Sequence, residues 1–524
     1  LKSICLFVFT CLIGFGAFSE TKDSLIRFSD LSFSNEVEKA TFVKYRDNVQ
    51  NADIIDLFLA HYTKKEGYSS LKAHEQILDC VNELKKETSG LSEPKKVKAI
   101  YKYVHKRFFK LYRLQNSFSD IFEKGEYNCV SGSAMYAIVF QLMDIPYQIV
   151  EAPQHVYLFA YPNTHKILVE STIPVNGYFT FSPAYVEKFS NYLLETKMIS
   201  EEEHSRSTPD QIFNKHYFAS KGLTIQELAG IQYCNYNVFY IESNEFEKAL
   251  EEIKKAYFLI PNERNRYILH SVLSHVVTNR NYKSENDVNN LNILCRLNNM
   301  NKNEVSDERI KYEFGRLAKE QLISNSDPVL FERSYHYLQS TLTDTTLKKE
   351  ISFYFNYEMA RIGLLKAKDD AFEMKYLEAA YIANPKHEDL HRMIMGYFSD
   401  RIEGSNDPDY IMKEIEIFSK KFDFMVSDER YNLVRSNCLL ELAYQQFMLK
   451  NAGVGESYLD KFEKLVNENK TLVPTEKFVE KAYSTAATYY YKKGNTPKTK
   501  QMLKKGIEYA PNNFGLKIRL SQVH

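Results

Sequence analysis

Tryptophan is absent from this chain of 524 residues, and helix breakers are scarce, with 18 glycines and 14 prolines. So few breakers suit a mostly helical protein. Charge of one sign is not in excess either, since 68 Lys and Arg balance 68 Asp and Glu. That balance excludes bulk electrostatic binding to nucleic acid, which needs a basic face, and leaves room only for a local patch. Cysteine is sparse and widely spread, at Cys5, Cys11, Cys80, Cys129, Cys234, Cys295 and Cys438. Such spacing excludes a dense disulfide framework, and the five beyond the first 19 residues leave at least one thiol free. No CxxC pair or His/Cys cluster has zinc-ligand spacing, so no structural metal is expected. What is abundant is tyrosine and phenylalanine, 38 and 35. They recur at helical spacing through the second half, as packing residues of helix pairs do.

Long apolar runs are also missing, with one exception. Lys2 precedes an uncharged, largely apolar run from Ile4 to Phe18, followed by Ala17-Phe18-Ser19 and then by polar Glu20-Thr21-Lys22-Asp23. This is the layout of a secretory signal peptide over residues 1–19. A run of about fifteen residues is short for a span, which needs roughly 20. The alternatives are an uncleaved anchor and a lipidated Cys11. The expectation is an exported chain (periplasmic, cell-surface or secreted) with no transmembrane span once processed.

Residues 20–94 read as a helical extension, clearest over Asn35–Asn48 and Leu71–Lys86. Ser89-Gly90-Leu91-Ser92-Glu93-Pro94 breaks it. A helix from Lys95 to Leu114 follows, with Val97, Ile100, Tyr101, Val104, Phe108 and Leu111 on one face. Next come a turn at Gly125–Asn128 and an apolar helix opened by Cys129. Alternating stretches follow at Tyr147–Glu151, His155–Tyr161 and Lys166–Ser171, so residues 95–204 read as α+β. From 205 to 524 the pattern is all helical. Tyr233, Tyr236, Tyr240, Phe246, Ala249, Ile253, Ala256 and Pro261 follow a large-small-large order closed by proline, and weaker copies end at Pro385 and Pro511. Those offsets fit a 34-residue helix-pair repeat. Helix pairs of this kind must stack to bury their apolar faces, which gives a solenoid with a concave surface.

The chemistry concentrates in residues 125–172. A thiol nucleophile needs ionisation, a base and an orienting group. Cys129 follows Asn128, a good N-cap, so the N–H groups of the helix start favour the thiolate and could hold an oxyanion. His155 opens a strand after Pro153-Gln154. If Tyr161-Pro162-Asn163-Thr164 is a four-residue loop, Ala160 opposes His165 and His155 opposes Glu170, with Cβ atoms about 5 Å apart. Glu170 could then orient the imidazole. A slip of one residue would send Glu170 to the other face. Singly, each residue has a plainer reading: Cys129 as a small core hydrophobe, His155 as a structural histidine, Glu170 as a surface carboxylate. Together they make a Cys–His–acid series. His105 reads as a solvated or packed helix-face residue, His165 as a loop or strand-edge residue, and the run from Lys492 to Lys505 as a solvated face.

The stretch Asn128-Cys129-Val130-Ser131-Gly132-Ser133-Ala134-Met135-Tyr136-Ala137 resembles the nucleophile helix of bacterial transglutaminase-like domains. Asp144-Ile145-Pro146, His155-Val156-Tyr157-Leu158 and Glu170-Ser171-Thr172 follow in the family's order. The resemblance spans about residues 95–185. It implies a papain-like fold with Cys129 as nucleophile, His155 as base and Glu170 as the acid. It departs from the family in having Glu where Asp is usual and Tyr157 where many members have Trp. The helical region is similar to tetratricopeptide repeats, which implies protein or peptide binding. The leading expectation is a thiol enzyme acting on a carboxamide or peptide carbonyl, by hydrolysis or acyl transfer, without a cofactor. The competing ones are a silent scaffold that binds a protein partner on its repeats, and a surface assembly component using the repeats alone.

Overall fold

Short polar side chains begin the helices. Asp53, Asn128, Ser182, Thr224, Asn262, Ser284, Asp407, Asp428 and Asn513 each accept a hydrogen bond from the first turn behind them, supplying partners for N–H groups that a helix start leaves open. The computed structural model describes residues 24–47, 53–61, 70–217, 222–366 and 370–523. The expected export signal lies outside them. Among the described residues the protein is mostly helical, with a small four-stranded antiparallel sheet and a two-stranded parallel ladder, and it divides into two compact units, Leu1–Ser306 and Asp307–His524. Among the described residues no helix is long and apolar enough to cross a membrane.

In the first unit the helices of the extension run Glu36–Asp47, Ile54–Leu59 and Ser70–Glu87. The helix expected to reach Leu114 ends at Phe108 instead. Gly125, in the left-handed region at φ 72°, turns its carbonyl to the N–H groups of Lys110 (2.8 Å) and Leu111 (3.1 Å). The chain therefore leaves the helix and forms β1, Leu111–Tyr112, parallel to β2, Glu126–Tyr127. The helix Cys129–Leu142 is buried on every side from Val130 to Phe140, as a helix without a polar face must be. It packs on a meander of β3 (Tyr147–Ala152), β4 (His155–Ala160), β5 (Ile167–Val169) and β6 (Tyr178–Thr180). With no indole in the chain, a phenylalanine and tyrosine cluster flanks this sheet. Phe181 packs on Phe159, Phe213 and Tyr217, and Phe213 stacks on Tyr217 at 4.7 Å.

The β4–β5 register differs from the expected one. Ala160 pairs with Ile167 and Leu158 with Val169, because the connection is six residues, 161–166. Tyr161 and Lys166 both have positive φ, and the Tyr161 carbonyl takes the N–H groups of Thr164 and Lys166. β5 accordingly starts at Ile167 rather than Lys166 and ends before Glu170. The shift is two residues, so it preserves which face each side chain takes.

The helices Ile225–Glu242 and Phe246–Leu259 form a hairpin against which the N-terminal segment is locked by buried charge. Glu38 bonds Lys255 at 2.9 Å and Tyr233 at 3.0 Å, and Lys255 also bonds Glu252 at 2.9 Å, all of them nearly fully buried. In the second unit, Thr345–Lys366 and Asp370–Ala383 pack as a hairpin, and the hairpins Glu429–Met448 with Ala452–Glu468 and Glu476–Lys492 with Thr496–Tyr509 share one apolar core. Of the lysine run there, Lys505 is paired with Glu463 at 2.7 Å and Lys498 with Glu456.

Candidate active site

Cys129 is the first residue of its helix. Asn128 ahead of it is extended, and its side-chain oxygen accepts the N–H groups of Val130 (3.0 Å) and Ser131 (2.9 Å). Ser131 Oγ accepts the Asn128 N–H in return at 2.9 Å and donates to Asn116 Oδ1 at 2.6 Å. The Asn128 amide also donates to the Leu114 carbonyl at 3.1 Å. This reciprocal cap spends the Asn128 oxygen on Val130 and Ser131 and leaves the Cys129 N–H free of it.

Among the described residues five cysteines are free, and Cys129 alone is not buried. Burial pushes Cys80, Cys295 and Cys438 up to about 12. Cys129 is raised as well, which corrects the expectation of a depressed thiol. Desolvation is the largest influence. The N–H of Val156 works against it, the Glu170 charge adds to it, and the N–H groups of Val130 and Cys129 oppose it. The helix start acts in the expected direction, but burial outweighs it. Ser133, on the same helix, donates its hydroxyl to the Val156 carbonyl at 3.1 Å, which ties the nucleophile helix to the strand that His155 opens.

His155 begins β4 directly after the tight turn at Pro153-Gln154, where Gln154 has φ 60°. Its Nε2 lies 2.6 Å from Glu170 Oε2. The expected pairing of His155 and Glu170 is therefore present, reached diagonally across the strands rather than directly. A carboxylate on Nε2 holds the proton there and leaves Nδ1 as the basic nitrogen. The other carboxylate oxygen, Oε1, accepts from the Thr172 N–H (3.0 Å) and the Thr172 hydroxyl (2.6 Å). Glu170 is nearly buried while a third of the His155 side chain is exposed, so the ring stands between the carboxylate and solvent.

Three residues that the sequence showed only within larger patterns support the site. Tyr101 donates to the Glu170 carbonyl at 3.2 Å and to the Ile173 carbonyl, clamping the turn after Glu170. Gly132 lets that turn approach, since a Cβ there would lie 2.8 Å from Ser171 Cβ and Oγ. Thr172 fixes the carboxylate. A hydroxyl two residues after an acid and the small residues Gly132-Ser133-Ala134 on the helix were the available signals. Behind the site His105 is buried, bonded to the Tyr136 hydroxyl at 2.9 Å and stacked on Tyr101, and burial pushes it down to about 4. His165 lies in the 161–166 loop near Glu93, at 3.3 Å.

Asp53, Asp56 and His74, in the N-terminal helices, bring ligand atoms within 4.8 Å of one another. His74 Nε2 lies 3.7 Å from Asp53 and Nδ1 3.8 Å from Asp56, and Asp53 also caps a helix. Compared with known proteins, the chain matches no family model and no curated sequence.

Proposed function

We propose that Cys129, His155 and Glu170 form a thiol acyl-transfer site of the transglutaminase-like kind, in a papain-like unit. The observation that carries this reading is the 2.6 Å bond from His155 Nε2 to a nearly buried Glu170, with His155 on a strand that the nucleophile helix bonds through Ser133 Oγ and the Val156 carbonyl at 3.1 Å. Because burial keeps the thiol protonated, His155 serves as a general base rather than as a standing imidazolium partner. Sγ attacks a carboxamide or peptide carbonyl and the S–C bond forms. The thiol proton passes to Nδ1 and from there to the departing amine as the C–N bond breaks. Water or a second amine then releases the acyl group. Glu170 stabilises the transient imidazolium, and the Cys129 N–H faces the forming oxyanion. The helical region would hold a protein partner or the substrate.

The raised thiol also favours a second reading, a silent scaffold in which the site no longer turns over. Reaction with p-nitrophenyl acetate separates the two. The enzyme reading expects an acetyl thioester on the Cys129 peptide, none in Cys129→Ala, and formation slowed about 100-fold in His155→Ala. Equal rates in the wild type and His155→Ala would remove the enzyme reading.

A further inference from the structure

The charge balance of the whole chain conceals a local surplus. From Lys470 to the last residue there are 11 Lys and Arg against 3 Asp and Glu. Acids on the preceding hairpin neutralise three of these cations. Glu441 takes Lys481 at 2.7 Å, Glu456 takes Lys498, and Glu463 takes Lys505 at 2.7 Å. Lys477 and Arg519 are exposed and, among the described residues, form no ion pair. These two border a groove in the second unit. The helix Glu476–Lys492 presents Lys477, Lys481, Ser484, Thr488 and Tyr491 at spacings of four and three residues, which is one face. Lys477 and Lys481 line a cavity of about 390 Å³ with Asn437, Cys438 and Phe478. Ser484, Thr488 and Tyr491 line another of about 280 Å³ with Arg519. The two cavities therefore lie end to end along one helix.

Three of the lining residues are cations and one is an acid, Glu441, which is already spent on Lys481. Lys481 also lies over the Tyr444 ring at 4.0 Å. The open charges are thus Lys477 at one end and Arg519 at the other, and the walls between them include Ile411, Val434, Phe478 and Leu503. Asn437 keeps a side-chain oxygen there without a hydrogen-bond partner among the described residues, an acceptor that wants a donor. An extended peptide offers free N–H groups, whereas a helix spends its own internally and a phosphodiester backbone has none. We propose that this groove binds an extended peptide of a protein partner through two acidic side chains, one on Lys477 and one on Arg519. This rests on the reading above that the helical region holds a protein partner. Thr488 faces the Arg519 cavity, and Lys477 and Thr488 are about 16 Å apart along the helix axis. At roughly 3.3 Å per residue the two acids stand about five positions apart in the peptide.

The test is fluorescence anisotropy of the full chain with two fluorescein-labelled hexapeptides, amidated at the C terminus. Both alternate valine and alanine in the middle, and they carry either aspartate or asparagine at both ends. The aspartate peptide should bind about tenfold more tightly, by a margin that shrinks as salt rises. Lys477→Glu and Arg519→Glu should each bring that preference toward one. Lys504→Glu makes the same charge change on a residue that lines neither cavity, and it should keep the preference. Urea unfolding followed by labelling of Cys438 checks that each variant keeps this unit folded. Equal affinities for the two peptides, or binding of neither, overturn the proposal. A preference lost equally in all three variants overturns it as well, by showing a diffuse field rather than a groove. A short oligothymidylate that binds as tightly as the aspartate peptide and displaces it would replace the peptide with a polyanion. Acylation of Cys129 should be the same in every variant, so failure of the groove and failure of the thiol reading are seen separately.

Discussion

Gly132→Ala is a substitution whose sign depends on the site being assembled as described. In the interior of an unencumbered helix, alanine is more stable than glycine by roughly 0.5–1 kcal/mol. Here the new Cβ would stand 2.8 Å from both Cβ and Oγ of Ser171, which is fully buried and whose hydroxyl has no hydrogen-bond partner. Overpacking of this kind costs about 1–3 kcal/mol, so the expected net effect is a loss of about 1–2 kcal/mol. Ser171→Gly removes both clashing atoms without breaking a hydrogen bond, so the double variant should regain the loss, with a coupling of about 1–3 kcal/mol. The buried thiols provide the assay. Labelling of Cys80 and Cys234 against urea reports the unit that carries the site, and labelling of Cys438 reports the other unit as an internal control. Acetylation of Cys129 should fall in Gly132→Ala and recover in the double variant, because a displaced Ser171 carries Glu170 with it. A Gly132→Ala protein that is more stable by about 0.5–1 kcal/mol would refute the contact between the nucleophile helix and the Glu170 turn.

Thr172→Val removes the 2.6 Å hydroxyl bond to Glu170 while keeping the backbone one. It should cost about 1.5–3 kcal/mol in urea unfolding, as loss of a bond to a charged acceptor does, and slow Cys129 acylation, while Thr172→Ser retains the rate. His105 is held near 4 by burial, below its unfolded value of about 6.5. Its contribution is complete above pH 6.5 and is lost as pH falls to about 4, because only the unfolded chain takes the proton in that window. The gap sets a ceiling of about 3 kcal/mol, and residual solvent access lowers the expected loss to about 2. The stability of His105→Phe should accordingly fall less between pH 7 and 4 than that of the wild type, and parallel pH curves would exclude the assignment. Glu38→Ala leaves Lys255 with Glu252 alone in a buried setting, which should cost about 3–5 kcal/mol and open residues 24–61 to limited proteolysis before the rest of the unit is cut.

The sequence by itself determined the elements that local rules control. Asn128 as a cap and an unbroken apolar run specify a buried helix beginning at Cys129, and the tight turn at Pro153-Gln154 places His155 at the start of a strand. The paired helices with small residues such as Ala249 and Ala256 at their contacts were legible for the same reason. The sequence also gathered Cys129, His155 and Glu170 as one series, because the residue types and their order limit the chemistry. Tertiary structure alone decided where Lys95's helix stops, since the Gly125 carbonyl that captures Lys110 and Leu111 comes from residues further along the chain. It decided the β4–β5 register, because two positive-φ residues, Tyr161 and Lys166, made a six-residue loop that composition alone does not specify. It also decided the state of the thiol. The dipole of a helix start is local and readable, but desolvation depends on everything packed around the sulfur, and here it is the larger influence.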